Sequence, residues 1–264
     1  MRTALLIIDP QIDFCDPAGA LAVAGADGDM ARLAQMVMRL GSRIDEIHVT
    51  LDSHHPVHIA HPIFWQDPAG NHPDPFTILS AEDVQEGRWM AADSAARERA
   101  AAYVSALEAH GRYPLCIWPS HCLIGSRGHA VHPALFEALV NWENEYKVVD
   151  YVEKGSNVYT EHYSAIKADV SDPSDPSTQL NIRLVSALAS ADRVAVAGEA
   201  GSHCVANTVR DLADSFGDDR LLSKIVLLQD AVSPVGGFED YQNRFVSEMT
   251  ARGMTLSSTD QFEV

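Results

Sequence analysis

The sequence predicts an α/β fold built on a parallel sheet. Six short apolar runs recur along the 264 residues. Most of them are continuous rather than alternating, the pattern of strands buried on both faces. Stretches with helical periodicity separate them, which is the rhythm of βαβ units with right-handed crossovers.

The first run is Thr3–Asp9 (TALLIID), followed by a helix over Asp29–Leu40 with Met30, Leu33, Met36, Val37 and Leu40 on one face. The second is Ile47–Leu51. The third, Pro114–Trp118 (PLCIW), precedes a helix over Pro133–Trp142 striped by Leu135, Phe136, Leu139 and Val140. Lys147–Val152 is the fourth run. Asp175-Pro176 then reads as an N-cap with proline at the first helical position, opening a helix through Leu180, Leu184 and Leu188. The fifth run, Arg193–Ala197, leads into a helix striped by Val205, Val209, Leu212 and Phe216; the sixth is Lys224–Gln229, before a last helix over Phe238–Arg252. Residues 54–91 break the rhythm: they hold His54, His55, His58, His61 and His72 with several prolines and little periodicity, and an alanine-rich helix is expected from about Ala91 to Ala109. With no linker-like stretch and no repeat, residues 1–264 read as one domain.

Composition removes whole classes of function. A net charge of −18 lacks the basic footprint a nucleic-acid binder needs. No apolar run approaches the roughly 20 residues that span a bilayer, and an Asp at position 9 comes too soon for a signal-peptide core. Cys15, Cys116, Cys122 and Cys204 form no CxxC, so neither a zinc knuckle nor a dithiol redox site is suggested. Few, scattered thiols point to a reduced, cytoplasmic setting.

Ligands of open α/β sheets bind beyond the carboxyl ends of the strands, so the residues just after each run are the informative ones. They are Asp9; Asp52 with His54 and His55; Ser120, His121 and Cys122; Glu153 and Lys154; and Gly198 through Cys204. Two subsites can be read from them. Cys204 opens a helix, where unpaired N–H groups and the helix dipole lower a thiol's pKa; Asp9 could take its proton and Lys154 polarise the pair. Read alone, a free cysteine is more often a small core residue, so it is the three strand-end groups together that give the reading weight. The second subsite is a metal site: Asp52, His54 and His121 supply one carboxylate and two imidazoles with open positions for other ligands. His55, His58 and His61 are further candidates that spacing does not rank.

These residues resemble the nicotinamidase branch of the isochorismatase-like cysteine hydrolases. Five stretches match in order: ALLIIDPQIDFC with Asp9, LDSHH with Asp52 and His54, IWPSHCLIG with His121, VEKGSNVY with Lys154, and GEAGSHCV with Cys204. The resemblance implies a three-layer αβα fold around a six-stranded, mainly parallel sheet. It implies a catalytic triad of Asp9, Lys154 and Cys204, and one divalent transition metal, zinc or iron, on Asp52, His54 and His121. It also implies a cis peptide at Glu199–Ala200, an oxyanion hole from the N–H groups of Ala200 and Cys204, and Phe14 and Trp118 as walls for a small planar substrate. The implied reaction is nicotinamide plus water to nicotinate plus ammonia through a thioester. Alternatives are a same-fold amidohydrolase for another small amide, ureido or carbamoyl compound, and a non-catalytic metal- or ligand-binding member. A small-molecule amide is the expected partner, with no nucleic acid and no membrane, and a homo-oligomer is expected.

The sequence departs from the family pattern in three places. Glu199 stands where an apolar residue is usual, Gly201-Ser202 where Thr-Asp is usual, and about 62–112 form an extended insertion. A carboxylate beside a developing oxyanion is opposed by Coulomb repulsion of roughly 4 kcal/mol at about 4 Å. The Glu199 side chain is therefore expected to point away, held by hydrogen bonds or a basic partner. The insertion is expected to cover the pocket mouth as a lid, or to form an oligomer contact, without supplying a catalytic group.

Overall fold

The computed structural model describes residues 1–110 and 112–264. Six parallel strands form the central sheet: β1 (Thr3–Ile8), β2 (Glu46–Asp52), β3 (Asp150–Lys154), β4 (Arg193–Gly198), β5 (Ile225–Leu228) and β6 (Thr255–Ser257), in spatial order β6-β5-β4-β1-β2-β3. The chain leaves β1 toward one edge, through β2 and β3, and then returns to lay β4, β5 and β6 on the other side. The strand order therefore reverses beside β1, the place where α/β sheets open a crevice.

Six longer helices are α1 (Ala26–Leu40), α2 (Arg97–His110), α3 (Pro133–Glu143), α4 (Ile182–Ser190), α5 (Cys204–Phe216) and α6 (Glu239–Ala251); α2 packs on the insertion and the others flank the sheet. α1 packs on α3, and α5 packs on both α4 and α6, giving a layer on each face. The central strands read as they pack: every residue of β1 and β5 is buried.

β3 is an edge strand with alternating burial, so Tyr151 and Glu153 face out while Val152 and Lys154 face in. The period of two thus buries a lysine because it is in phase with a valine. The expected run Lys147–Val152 lies too early, since Val148 is 82% exposed and the paired strand starts at Asp150.

The expected strand Pro114–Trp118 does not join the sheet. Leu115–Cys116 pairs antiparallel with Ile78–Leu79 of the insertion, and residues 115–118 are buried there. A short apolar run specifies burial but not a partner. The sixth sheet strand is instead β6, whose exposed or half-buried edge residues give little apolar signal.

Two helix expectations also change. Asp175 caps only one 3-10 turn, Pro176–Thr178, and α4 begins after Asn181, whose side chain accepts from the Leu184 N–H. Ala91 belongs to a two-residue strand, Met90–Ala91, paired with Trp65–Gln66; Asp93 then caps a 3-10 turn, and α2 starts at Arg97.

Candidate active site and metal centre

The sheet register brings four strand ends together. Ile8 pairs with Gly198, and Asp52 with Lys154, so Asp9, Asp52, Lys154 and the Glu199–Ala200 step converge on one rim. Gly198 has φ 111°, and a Cβ there would lie 2.0 Å from the Ile8 carbonyl oxygen. Only glycine permits that close approach. The Glu199–Ala200 peptide bond is cis.

Lys154 sits at the centre of the buried charges. Its Nζ lies 2.8 Å from Asp9 Oδ2, 3.1 Å from Asp52 Oδ1 and 3.7 Å from Cys204 Sγ, and donates to the His162 carbonyl at 2.9 Å. Burial works against the ammonium, but Asp52 and Asp9 overcome it and raise the Lys154 pKa well above its usual value. Thr50 Oγ1 donates to Asp9 Oδ1, and the Asp9 N–H donates to Thr50 Oγ1 at 3.0 Å, which fixes the carboxylate. Gln11 clamps the Asp52 peptide from both sides: its Oε1 accepts from the Asp52 N–H and its Nε2 donates to the Asp52 carbonyl, each at 2.7 Å.

Cys204 is the first residue of α5, preceded by His203. Its thiol pKa is raised, not lowered. Burial pushes it well above the ordinary value, Lys154 opposes this, and the Asp9 and Asp52 charges add to it. The helix start therefore does not yield a resting thiolate. The buried thiol is protonated at rest.

Asp52 faces a second cluster with its other oxygen. Oδ2 lies 3.0 Å from His54 Nε2 and 3.5 Å from His121 Nε2. Burial would raise the Asp52 pKa, but His54 and Lys154 overcome it, so the carboxylate stays ionised.

The structure ranks the histidines that spacing left open. His61 joins His54 and His121, the three offering nitrogens within 4.8 Å of one another. His61 Nδ1 lies 3.3 Å from the Pro56 carbonyl, His54 Nδ1 3.2 Å from that of Gly155, and His121 Nδ1 2.8 Å from that of Pro119. A carbonyl only accepts, so each Nδ1 carries a proton. His54 Nε2 faces the ionised Asp52 at 3.0 Å and carries one too: burial would lower the His54 pKa, but Asp52 overcomes it and raises it. The buried His61 Nε2 has no hydrogen-bond partner. Burial, with His121 and His54, also lowers the His61 pKa to about 3, which keeps it neutral. His58 has both nitrogens engaged, one accepting from the Ala60 N–H and one donating to the Thr160 carbonyl. His55 is exposed. Three imidazoles tied through Nδ1 to backbone carbonyls, an orphaned nitrogen and one carboxylate fit a divalent transition-metal ion, which would take the place of the proton on His54 Nε2.

A narrow cleft joins the two clusters. Phe14 and Trp118 line it, together with Asp52, His121, Ala200 and Cys204. His203, one of the residues read after the fifth run, also lines it, as do Glu161 and Tyr163, which were not singled out from the sequence. Tyr163 accepts from Trp118 Nε1 at 2.9 Å and so fixes the indole. Burial pushes the Glu161 carboxyl up and the His203 imidazole down to about 3. The one available signal was the polar cluster TEHY, which follows the Lys154 strand without periodicity.

Glu199 points out of the cleft. Its Oε2 accepts from the Ser233 N–H at 3.1 Å, and its carboxyl is pushed well up by burial and by neighbouring Asp29. No base holds it directly, since Arg32 pairs with Asp29 instead. Among its described residues, the insertion supplies none that lines the cleft. It props the wall from behind: Phe76 packs on Trp118 at 5.9 Å, and Tyr103 accepts from the Glu161 N–H at 3.0 Å.

No protein-family model matches the chain. A nicotinamidase from Acinetobacter baylyi is 30% identical over 134 residues, 50% of this chain and 44% of that protein. The chain thus matches less than half the length of this curated relative. Among solved structures, yeast nicotinamidase bound to the inhibitor nicotinaldehyde superposes with a TM-score of 0.67 at 18% identity, over 97% of this chain and 99% of that one. A nicotinamidase/pyrazinamidase from Acinetobacter baumanii gives 0.64 at 19% identity, covering 98% and 97%. The pyrazinamidase of Pyrococcus horikoshii in complex with zinc gives 0.58 at 20% identity, covering 98% and 99%. The chain has the fold of these enzymes.

Proposed function

We propose that the protein is a metal-containing cysteine amidohydrolase that converts nicotinamide and water to nicotinate and ammonia. The observation that carries this reading is the Lys154 ammonium, buried within 2.8 Å of Asp9, 3.1 Å of Asp52 and 3.7 Å of the Cys204 sulfur. A buried lysine in contact with a base, a thiol and a metal-facing carboxylate has no structural purpose that an apolar residue would not serve better.

The chemistry follows from the groups present. Phe14 and Trp118 sandwich a planar ring and set its carboxamide over Cys204. Asp9 accepts the thiol proton as sulfur attacks the carboxamide carbon, since the buried thiol is protonated at rest. Lys154 keeps the net charge of the unit near neutral while the proton moves. The N–H groups of Ala200 and Cys204 donate to the oxyanion, each such donor being worth about 3–4 kcal/mol in comparable sites. Asp9 returns the proton to the departing ammonia, leaving a thioester. A water, deprotonated by Asp9, then attacks the thioester and releases the carboxylate product and the thiol. Asp52, His54, His61 and His121 would hold the metal, which when bound supplies a Lewis acid for the ring nitrogen of a pyridine. Glu199 turns its carboxyl away from the oxyanion, toward the Ser233 N–H, and takes no part.

The four cysteines are free and buried, which suits a reduced, cytoplasmic setting, and among the described residues no helix is long and apolar enough to cross a membrane. Ammonia release over a panel of nicotinamide, other carboxamides, and ureido and carbamoyl compounds tests the reading. Nicotinamide should be turned over fastest, and Cys204→Ala should lose at least about a thousandfold in turnover with its metal retained. Turnover of a ureido or carbamoyl compound in preference to nicotinamide would overturn the substrate. Equal turnover by Cys204→Ala would overturn the nucleophile.

A further inference from the structure

A second cavity, of about 350 Å³, has no lining residue in common with the cleft. Arg112, Arg210, Arg244 and Arg252 line it, with Tyr113 and Tyr241. The whole chain has 19 basic residues and a net charge of −18, so four guanidinium groups around one cavity run against its general charge. Two carboxylates also line the cavity, Asp214 and Glu248. Arg210 pairs with Glu248 at 2.8 Å, and Arg252 and Arg112 reach Asp214 at 3.4 and 3.7 Å. Asp211, outside the wall, is shared between Arg112 at 2.8 Å and Lys167 at 3.8 Å. Exposed Arg244 has no ion-pair partner among the described residues. With Asp211 counted beside Arg112, the four arginines face three carboxylates.

Tyr113 connects this cavity to the nucleophile. Its ring stacks on His203 at 5.0 Å and 30°, and its hydroxyl donates to the Ser202 carbonyl at 2.9 Å. His203 lines the cleft and directly precedes Cys204.

We propose that this cavity binds a small aromatic organophosphate of the nucleoside monophosphate class, and that the ligand acts on the reaction through Tyr113. Guanidinium forks match phosphate oxygens bidentately. The half-buried Tyr241 offers its ring to the aromatic part, and the volume lies within the range of small-molecule sites, about 300–1,000 Å³. The site is separate from the cleft, so binding can be read whatever amide is hydrolysed.

Equilibrium dialysis of the metal-loaded protein with adenosine monophosphate, adenosine and inorganic phosphate tests it. The nucleotide should bind once per chain with Kd below about 1 mM, and at least about tenfold more tightly than adenosine or phosphate. Arg244→Glu, on an exposed helix position, should melt as the wild type and weaken nucleotide binding by about tenfold or more. Saturating nicotinamide should leave the nucleotide bound. The nucleotide should shift kcat or KM for the amide by about twofold or more in the wild type, and not in Arg244→Glu. Absence of saturable binding, displacement by nicotinamide, or an unchanged affinity in Arg244→Glu would overturn the site. Binding with unchanged kinetics would overturn the role of Tyr113.

Discussion

Asp52 divides its two oxygens between two tasks, one facing the Lys154 ammonium and the other the histidine cluster. The surrounding histidines divide in the same way, and substitution should separate them. His61→Ala removes a nitrogen with no other partner, so it should weaken metal binding by about tenfold or more with little change in melting temperature. His58→Ala breaks two backbone hydrogen bonds, so it should keep the metal and cost about 1–3 kcal/mol of stability. Elemental analysis paired with thermal melting distinguishes the two. Asp169 gives a pH prediction. Burial raises its carboxyl from 3.8 to about 7. The folded state therefore keeps a proton that the unfolded chain has released, and stability falls as pH rises from about 4 through 7. Asp169→Asn keeps an acceptor for the Tyr163 N–H and should flatten that slope, gaining on the wild type at pH 8 relative to pH 4 in denaturant titrations. Asp9, Asp52, His54, Lys154 and Cys204 were legible because each stands at or shortly after the end of a sheet strand, and His121 because it follows an apolar run, although that run pairs inside the insertion and not in the sheet. Gln11, Thr50, Glu161 and Tyr163 were not, because their roles exist only as contacts between segments 41 or more residues apart or within an aperiodic loop.

Two glycines hold the strand ends together. Gly198→Ala would drive a Cβ to 2.0 Å from the backbone of β1, and should cost about 2–4 kcal/mol of stability. Gly155, at φ 87°, would place a Cβ 2.7 Å from Asp52 Oδ1. Gly155→Ala should cost less stability, about 1 kcal/mol, yet lose metal and turnover together, because it displaces the carboxylate the two clusters share. Chemical denaturation and elemental analysis read both effects. The central strands were legible from their unbroken apolar runs. The edges were not: β3 alternates, β6 is largely exposed, and Leu115–Cys116 satisfies its apolar character by pairing inside the insertion.

The whole molecule puts its chemistry where its topology reverses. β1 lies between strands laid down in opposite directions, and the residues after β1, β2, β3 and β4 meet in the crevice this leaves. The insertion adds mass behind Trp118 and Glu161 and leaves the crevice to the sheet. That arrangement was legible as a fold class from the strand and helix rhythm. The propping role of the insertion was not, because it depends on Phe76 and Tyr103 finding partners outside their own segment. The central claim is that Cys204 takes the acyl group from a carboxamide. Mass spectrometry of metal-loaded protein quenched in acid during turnover of nicotinamide reads it directly. The account predicts a nicotinoyl adduct on the peptide carrying Cys204 and no adduct in Asp9→Asn; ammonia release with no adduct on Cys204, or with the acyl group on another residue, would contradict it.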